Sequence, residues 1–145
     1  MFTNPSTEDI ADLLRRARVI AMVGLSASPA RPSHRVALAL QGFGYRVIPV
    51  NPTGGRILGE PAVPGLDQIQ SVLEAGERVD IVDVFRQPEH VSGIVADCIR
   101  LRFPALWLQD GVIDEAAAER ARRAGILTVM DRCLYRDRAA LGAAA

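Results

Sequence analysis

At 145 residues, with 17 acidic side chains balanced by 17 basic ones, the chain has no net charge to draw nucleic acid or an anionic membrane over distance. Apolar residues make up 49% and charged ones 23%, which suits one core, and a single domain without a second catalytic one is expected at this length. Every basic residue is arginine, so neither a P-loop lysine nor a Schiff-base lysine is available.

Cys98 and Cys133 offer neither a disulfide framework nor a zinc-ligand spacing, and Met1 is not followed by a signal segment. No apolar run approaches the roughly 20 residues of a membrane-spanning helix. The expectation is one domain over residues 1–145, cytoplasmic and reduced, with no membrane or nucleic-acid partner.

Short β-rich runs alternate with helical segments along the whole chain, the pattern of a parallel α/β sheet. A first helix is predicted from Ser6 to about Ala17, since Ser6 caps, Glu8 and Asp9 lie in the first turn, and Ile10, Leu13, Leu14 and Ala17 recur at helical spacing. A first strand follows from Arg18 to Gly24. After it, Leu25-Ser26-Ala27-Ser28-Pro29-Ala30-Arg31 leads into a helix starting near Pro32 or Ser33.

That strand, turn and helix start suit a ligand carrying negative charge. Ser26, Ser28 and the backbone N–H groups are candidate phosphate donors, and Arg31 adds a planar fork of charge. His34 lies close enough in sequence to contact a phosphate or to pack beside the turn. The dinucleotide pattern G-x-G-x-x-G is absent, with Gly24 its lone glycine here.

The second helix stops at Gly42 and Gly44, and a second strand runs from Tyr45 to Val50. A NAD-binding fold carries an acidic residue at the end of that strand, where this chain has Asn51 and Pro52. The following Gly/Pro-rich loop, Thr53 to Gly65, holds Arg56, either a second phosphate contact or a solvated loop residue. Next come a helix from Leu66 to Ala75 and a third strand from Val79 to Phe85.

In the third strand Asp80 and Asp83 interleave with Val79, Ile81, Val82 and Val84, which predicts a strand less completely covered than the others. Phe85, Arg86 and Pro88 at its end can sandwich a base, or Phe85 can be core. His90 reads as a solvated surface residue. A helix from Glu89 to Arg102, with Cys98 as core, precedes a strand from Ala105 to Leu108, and Gln109 at its carboxyl end is a further candidate ligand contact. A helix from Asp114 to Ala124, a strand from Ile126 to Met130 and a frayed tail over Ala139–Ala145 complete the reading. Cys133, beside the last strand's end, is expected to be buried and unreactive.

The expected fold is a Rossmann-type, doubly wound three-layer sandwich with a five-stranded parallel sheet of order 3-2-1-4-5, its ligand at the carboxyl ends of strands one and four. The residues alone therefore describe a nucleotide binder that is not an ordinary NAD binder.

Five segments carry a closer resemblance. They are Val23 to Val36 after the first strand, Gly44 to Pro52, Val79 to Arg86, Trp107 to Gly111, and Met130 to Leu134. In their order and spacing the chain resembles the small stand-alone CoA-binding proteins, which are similar to the N-terminal CoA-binding domain of the succinyl-CoA synthetase alpha subunit. The resemblance implies that Gly24, Leu25 and Ser26, with the helix start at Ser33, hold a CoA diphosphate. It also implies that Phe85, Arg86 and Pro88 lie along the adenosine, with Asn51 and Pro52 bordering the pocket.

Two departures from that family stand out. Its Gly-Lys-Gly-Gly loop is replaced by Pro52-Thr53-Gly54-Gly55-Arg56, and the synthetase's phosphorylated histidine belongs to a second domain that has no counterpart here, so ligase activity is not expected. Three readings follow. The first is a CoA or acyl-CoA binding or regulatory module without chemistry, with self-association as a homodimer. The second is a NAD(P)-type dinucleotide-dependent enzyme, and the third is a regulatory interaction domain whose pocket has decayed.

Overall fold

A computed structural model describes residues 1–142. Helix α1 (Thr7–Arg16) begins where Ser6 accepts a hydrogen bond from the Asp9 N–H, as its capping position predicts. Strand β1 (Val19–Val23) leads through a turn to α2 (Pro32–Gly42) and β2 (Arg46–Val50). A hairpin of β3 (Arg56–Ile57) and β4 (Glu60–Pro61) and a 3-10 helix (Leu66–Val72) then precede β5 (Ile81–Val84).

A short 3-10 turn, Pro88–His90, opens α3 (Val91–Leu101). The chain finishes through β6 (Ala105–Leu108), α4 (Glu115–Arg123), β7 (Leu127–Val129) and α5 (Leu134–Ala139). No helix among the described residues is long and apolar enough to cross a membrane. Of the tail expected to fray, Ala139 closes α5, and residues 143–145 lie outside the described residues.

The five long strands form one parallel sheet of order β2-β1-β5-β6-β7. The α/β sandwich is as expected, but the strand order is not. In order of occurrence it reads 2-1-3-4-5 rather than 3-2-1-4-5, with the third strand beside the first. The cause lies in residues 51–80, where the hairpin and the 3-10 helix return the chain across the sheet instead of carrying it outward beyond β2. Asp80 fixes the landing, because its carboxylate accepts the backbone N–H groups of both Arg18 and Val19 at the start of β1.

Side chains of β1 alternate between two apolar layers, Val19, Ala21 and Val23 on one face and Ile20 and Met22 on the other. The first layer packs under the 3-10 helix, α3 and α4 through Leu66, Ile69, Val95 and Ala118, while α1, α2 and α5 cover the second through Leu14, Leu40 and Leu134. Strand β5 is wholly buried, against the expectation of partial cover, since it has a strand on each side and a helical layer on each face.

The segment expected as a helix over Leu66–Ala75 is a 3-10 helix that stops at Val72. Arg46 explains the stop: its Nη2 donates to the Val72 carbonyl while its guanidinium pairs with Glu60 and Glu77. One arginine thereby ties the hairpin, the 3-10 helix and β2 together.

Candidate functional site

With β1 beside β5, the crossovers on either side of this pair cover opposite faces of the sheet, and the crevice at their carboxyl ends is the natural ligand position. It therefore lies at strands one and three, not at strands one and four. Gly24 sits at its centre. The Gly24 N–H extends the ladder to the Val50 carbonyl, 3.0 Å away, and its φ is +88°. A Cβ there would meet the Phe85 carbonyl oxygen at 2.2 Å, so glycine is what lets β1 and β5 end side by side.

Beyond Gly24 the turn is held from behind. The Ser26 N–H donates to Ser33 Oγ at 3.0 Å, His34 Nδ1 donates to the Ser26 carbonyl at 2.9 Å, and the Ser28 N–H donates to Ser26 Oγ at 3.1 Å. Because the partner of Nδ1 is a carbonyl, that nitrogen carries the proton. Ser33 and His34, both buried, brace the turn from the first turn of α2. Leu25 is fully buried in the core, backbone included, so it offers a ligand no direct contact.

Asn51 is committed at both ends of its amide. Its Nδ2 donates to the Leu25 carbonyl at 2.8 Å, and its Oδ1 accepts from the Thr53 N–H and hydroxyl at 2.9 and 2.8 Å. The asparagine clamps the β2 exit to the phosphate-sized turn. Against this internal bonding, the N–H of exposed Ala27 has no protein acceptor among the described residues.

Three depressions run along this edge. The first, about 330 Å³, is lined by Gly24, Ser26, Arg31, Pro32, Ser33, Asn51 and Phe85. The second, about 370 Å³, lies between the ends of β5 and β6 and includes Phe85, Arg86, Pro88 and Gln109. The third, also about 370 Å³, includes Pro52, Arg86, His90, Gly93 and Asp97. Phe85 is the wall shared by the first two and Arg86 the wall shared by the last two, so the three form one continuous surface.

Its charge is positive where it is uncommitted. The side chains of Arg31 and Arg86 donate to no group among the described residues, whereas Asp110 is paired with Arg136 and Asp97 with Arg100. Besides Leu25 and His34, which are buried behind the turn and line none of the depressions, two more candidates fall away from the surface. Arg56 donates to the Gly59 carbonyl across its own hairpin, and Ser28 lines none of the depressions.

Gln109, a candidate ligand contact, is instead buried at the floor of the second depression and paired with Asp83, a partner that sequence reasoning missed. Asp83 is fully buried, its Oδ1 accepts from Gln109 Nε2 at 2.7 Å, and its Oδ2 has no partner among the described residues. Burial pushes its pKa up to about 7, partly opposed by the Gln109 bond. An acid in a β-branched run signals such a pair only once the strand is known to be central. The third depression was also missed, although Gly93, a glycine inside a helical pattern, was its signal. Cys98 is core, as expected, and burial raises its thiol pKa to about 12, which leaves it inert. Cys133 is buried as well.

A family model described as "CoA binding domain" matches residues 18–138. The chain belongs to the CoA-binding domain family. A protein YneT of Bacillus subtilis (strain 168), described as uncharacterized, is 39% identical to this CoA-binding domain over 131 residues, covering 90% of this chain and 93% of its own. A Thermus thermophilus protein of known structure, called cell-free ID.343, is 36% identical with a TM-score of 0.85 and covers 94% of this chain and 99% of its own. The dinucleotide-forming acetyl-coenzyme A synthetase 1 of Ca. Korarchaeum cryptofilum shares the fold over 81% of this chain and 27% of its own, at 21% identity and a TM-score of 0.64.

Proposed function

We propose that this domain binds coenzyme A or an acyl-CoA along the carboxyl edge of its sheet, as a binding or regulatory module without chemistry of its own. The diphosphate rests against the turn from Gly24 to Ser26 and the head of α2, and the adenosine lies along Phe85, Arg86 and Pro88. One observation carries the reading: two uncommitted guanidiniums, Arg31 and Arg86, border the continuous surface beside a turn whose exposed Ala27 N–H has no acceptor among the described residues. Such donors and charges match phosphate oxygens, and Phe85 between them offers a flat apolar face.

The absence of chemistry rests on how the reactive groups are employed. His34 Nδ1 serves the Ser26 carbonyl, Asp110 is paired with Arg136, and Asp83 is sealed beneath Gln109. A dinucleotide-dependent enzyme is disfavoured by Asn51, which stands where a ribose-binding acid belongs and spends its amide on Leu25 and Thr53.

The test is calorimetric titration of CoA into Arg31→Ala and Arg86→Ala proteins. Each variant loses a charge-assisted contact of about 1.5–3 kcal/mol, so affinity falls by about ten- to a hundredfold. Unchanged affinity in both variants would refute the placement of the phosphates.

A further inference from the structure

The amino-terminal edge of the sheet, opposite the CoA cleft, holds a second positively charged hollow. A cavity of about 170 Å³ opens where the end of α1, the α2–β2 connection and α5 meet. Arg15, Arg18 and Arg138 line it with Phe43 and Tyr45, and no acidic side chain does.

Arg138 is the anomaly. It is 7% exposed and forms no ion pair among the described residues. Its Nη1 donates to the Gly142 carbonyl at 3.2 Å, and its guanidinium carbon lies 4.3 Å from the centre of the Phe43 ring. A carbonyl and an aromatic face ease the desolvation of a buried cation, but neither supplies the full negative charge that normally accompanies one.

Tyr45 shows that the charges converge. Burial raises its hydroxyl pKa, while the guanidiniums of Arg138 and Arg18 pull in the opposite direction, so both act on the same oxygen. The carbonyls at the end of α1 would repel an anion, but they are already bonded. Leu14 O accepts from the Tyr45 hydroxyl, and Arg15 O and Ala17 O accept from Arg18 Nη1. The nearby Asp80 is turned toward the Arg18 and Val19 N–H groups and pairs with Arg78.

We propose that this cavity is a binding site for a small oxyanion of phosphoryl type, separate from the CoA cleft. Its volume of about 170 Å³ is about half that of each depression along the opposite edge, which suits one tetrahedral oxyanion rather than a nucleotide. The five-residue β1 separates the two edges by roughly 15 Å, so both sites can be filled at once. The shared chemistry admits inorganic phosphate or the terminal group of a small phosphomonoester.

The experiment titrates inorganic phosphate, and separately glycerol phosphate, into the full chain with and without saturating CoA, following heat and the NMR shifts of Tyr45 and Arg138. Saturable binding that persists with CoA present is expected, with tighter binding of one titrant naming the source. The double variant R15Q/R18Q, changed at exposed positions, should bind at least about tenfold more weakly while its CoA affinity stays within about twofold. Arg138→Met abolishes binding if it folds, and the double variant carries the test if it does not. Binding that vanishes when CoA is added, equal binding in wild type and R15Q/R18Q, or no binding of either titrant overturns the proposal.

Discussion

Substituting Gly24 by alanine tests how β1 and β5 are brought together at the cleft. The new Cβ would lie 2.2 Å from the Phe85 carbonyl oxygen and 3.0 Å from Arg86 Cδ, and the residue would keep a φ of +88°. The dihedral alone costs an alanine about 1–3 kcal/mol. Overpacking against a backbone atom, which has no rotamer to yield, adds about 1–3 kcal/mol more. Gly111→Ala is the control, because Gly111 has a φ of +78° and nothing within 4 Å of an added Cβ.

The difference between the two variants therefore isolates the steric part. Urea unfolding followed by the fluorescence of Trp107, the chain's single and fully buried tryptophan, reads it directly. Gly24→Ala is expected to lose about 4 kcal/mol and Gly111→Ala only the dihedral part, about 1–3 kcal/mol. Equal losses would refute the claim that close approach to Phe85 dictates glycine at this position.

Asp83 makes stability depend on pH. Its carboxyl keeps its proton up to about pH 7 in the fold, whereas an unfolded aspartate releases it near about pH 4. The native state binds more protons in that window, so stability falls as pH rises from about 4 to about 7 and then levels off. Asp83→Asn should flatten this slope in urea midpoints measured across the window and be the more stable protein at pH 8; parallel slopes would contradict the assignment. Asn51→Ala removes three hydrogen bonds that join the β2 exit to the turn. It should cost about 1–3 kcal/mol in urea unfolding and weaken CoA binding several-fold, and a protein unchanged in both would show that the clamp does not shape the cleft.

Local chemistry in the sequence located most elements. Ser6 marked the start of α1, Gly42 and Gly44 the exit of α2, and the β6 run of Ala105 to Leu108 matched residue for residue. Strand order was not legible, because it depends on which way residues 51–80 travel, and that is settled by long-range bonds such as Asp80 to Arg18. Gly24, Ser26 and Arg31 line the first depression, as their position after a strand predicts. The bracing of Ser33 and His34 and the clamping by Asn51 were hidden, since a polar side chain reads alike whether it faces a ligand or the backbone behind one. Arg56 drew attention as a cation after glycines, yet its hairpin turns it onto Gly59.

The most direct test of the central claim is parallel calorimetric titration of the purified, ligand-stripped protein with CoA, acetyl-CoA and NAD. Micromolar binding of CoA or its acyl form, with no heat from NAD, is the expected result. Silence with both CoA forms, or NAD binding of equal strength, would contradict it.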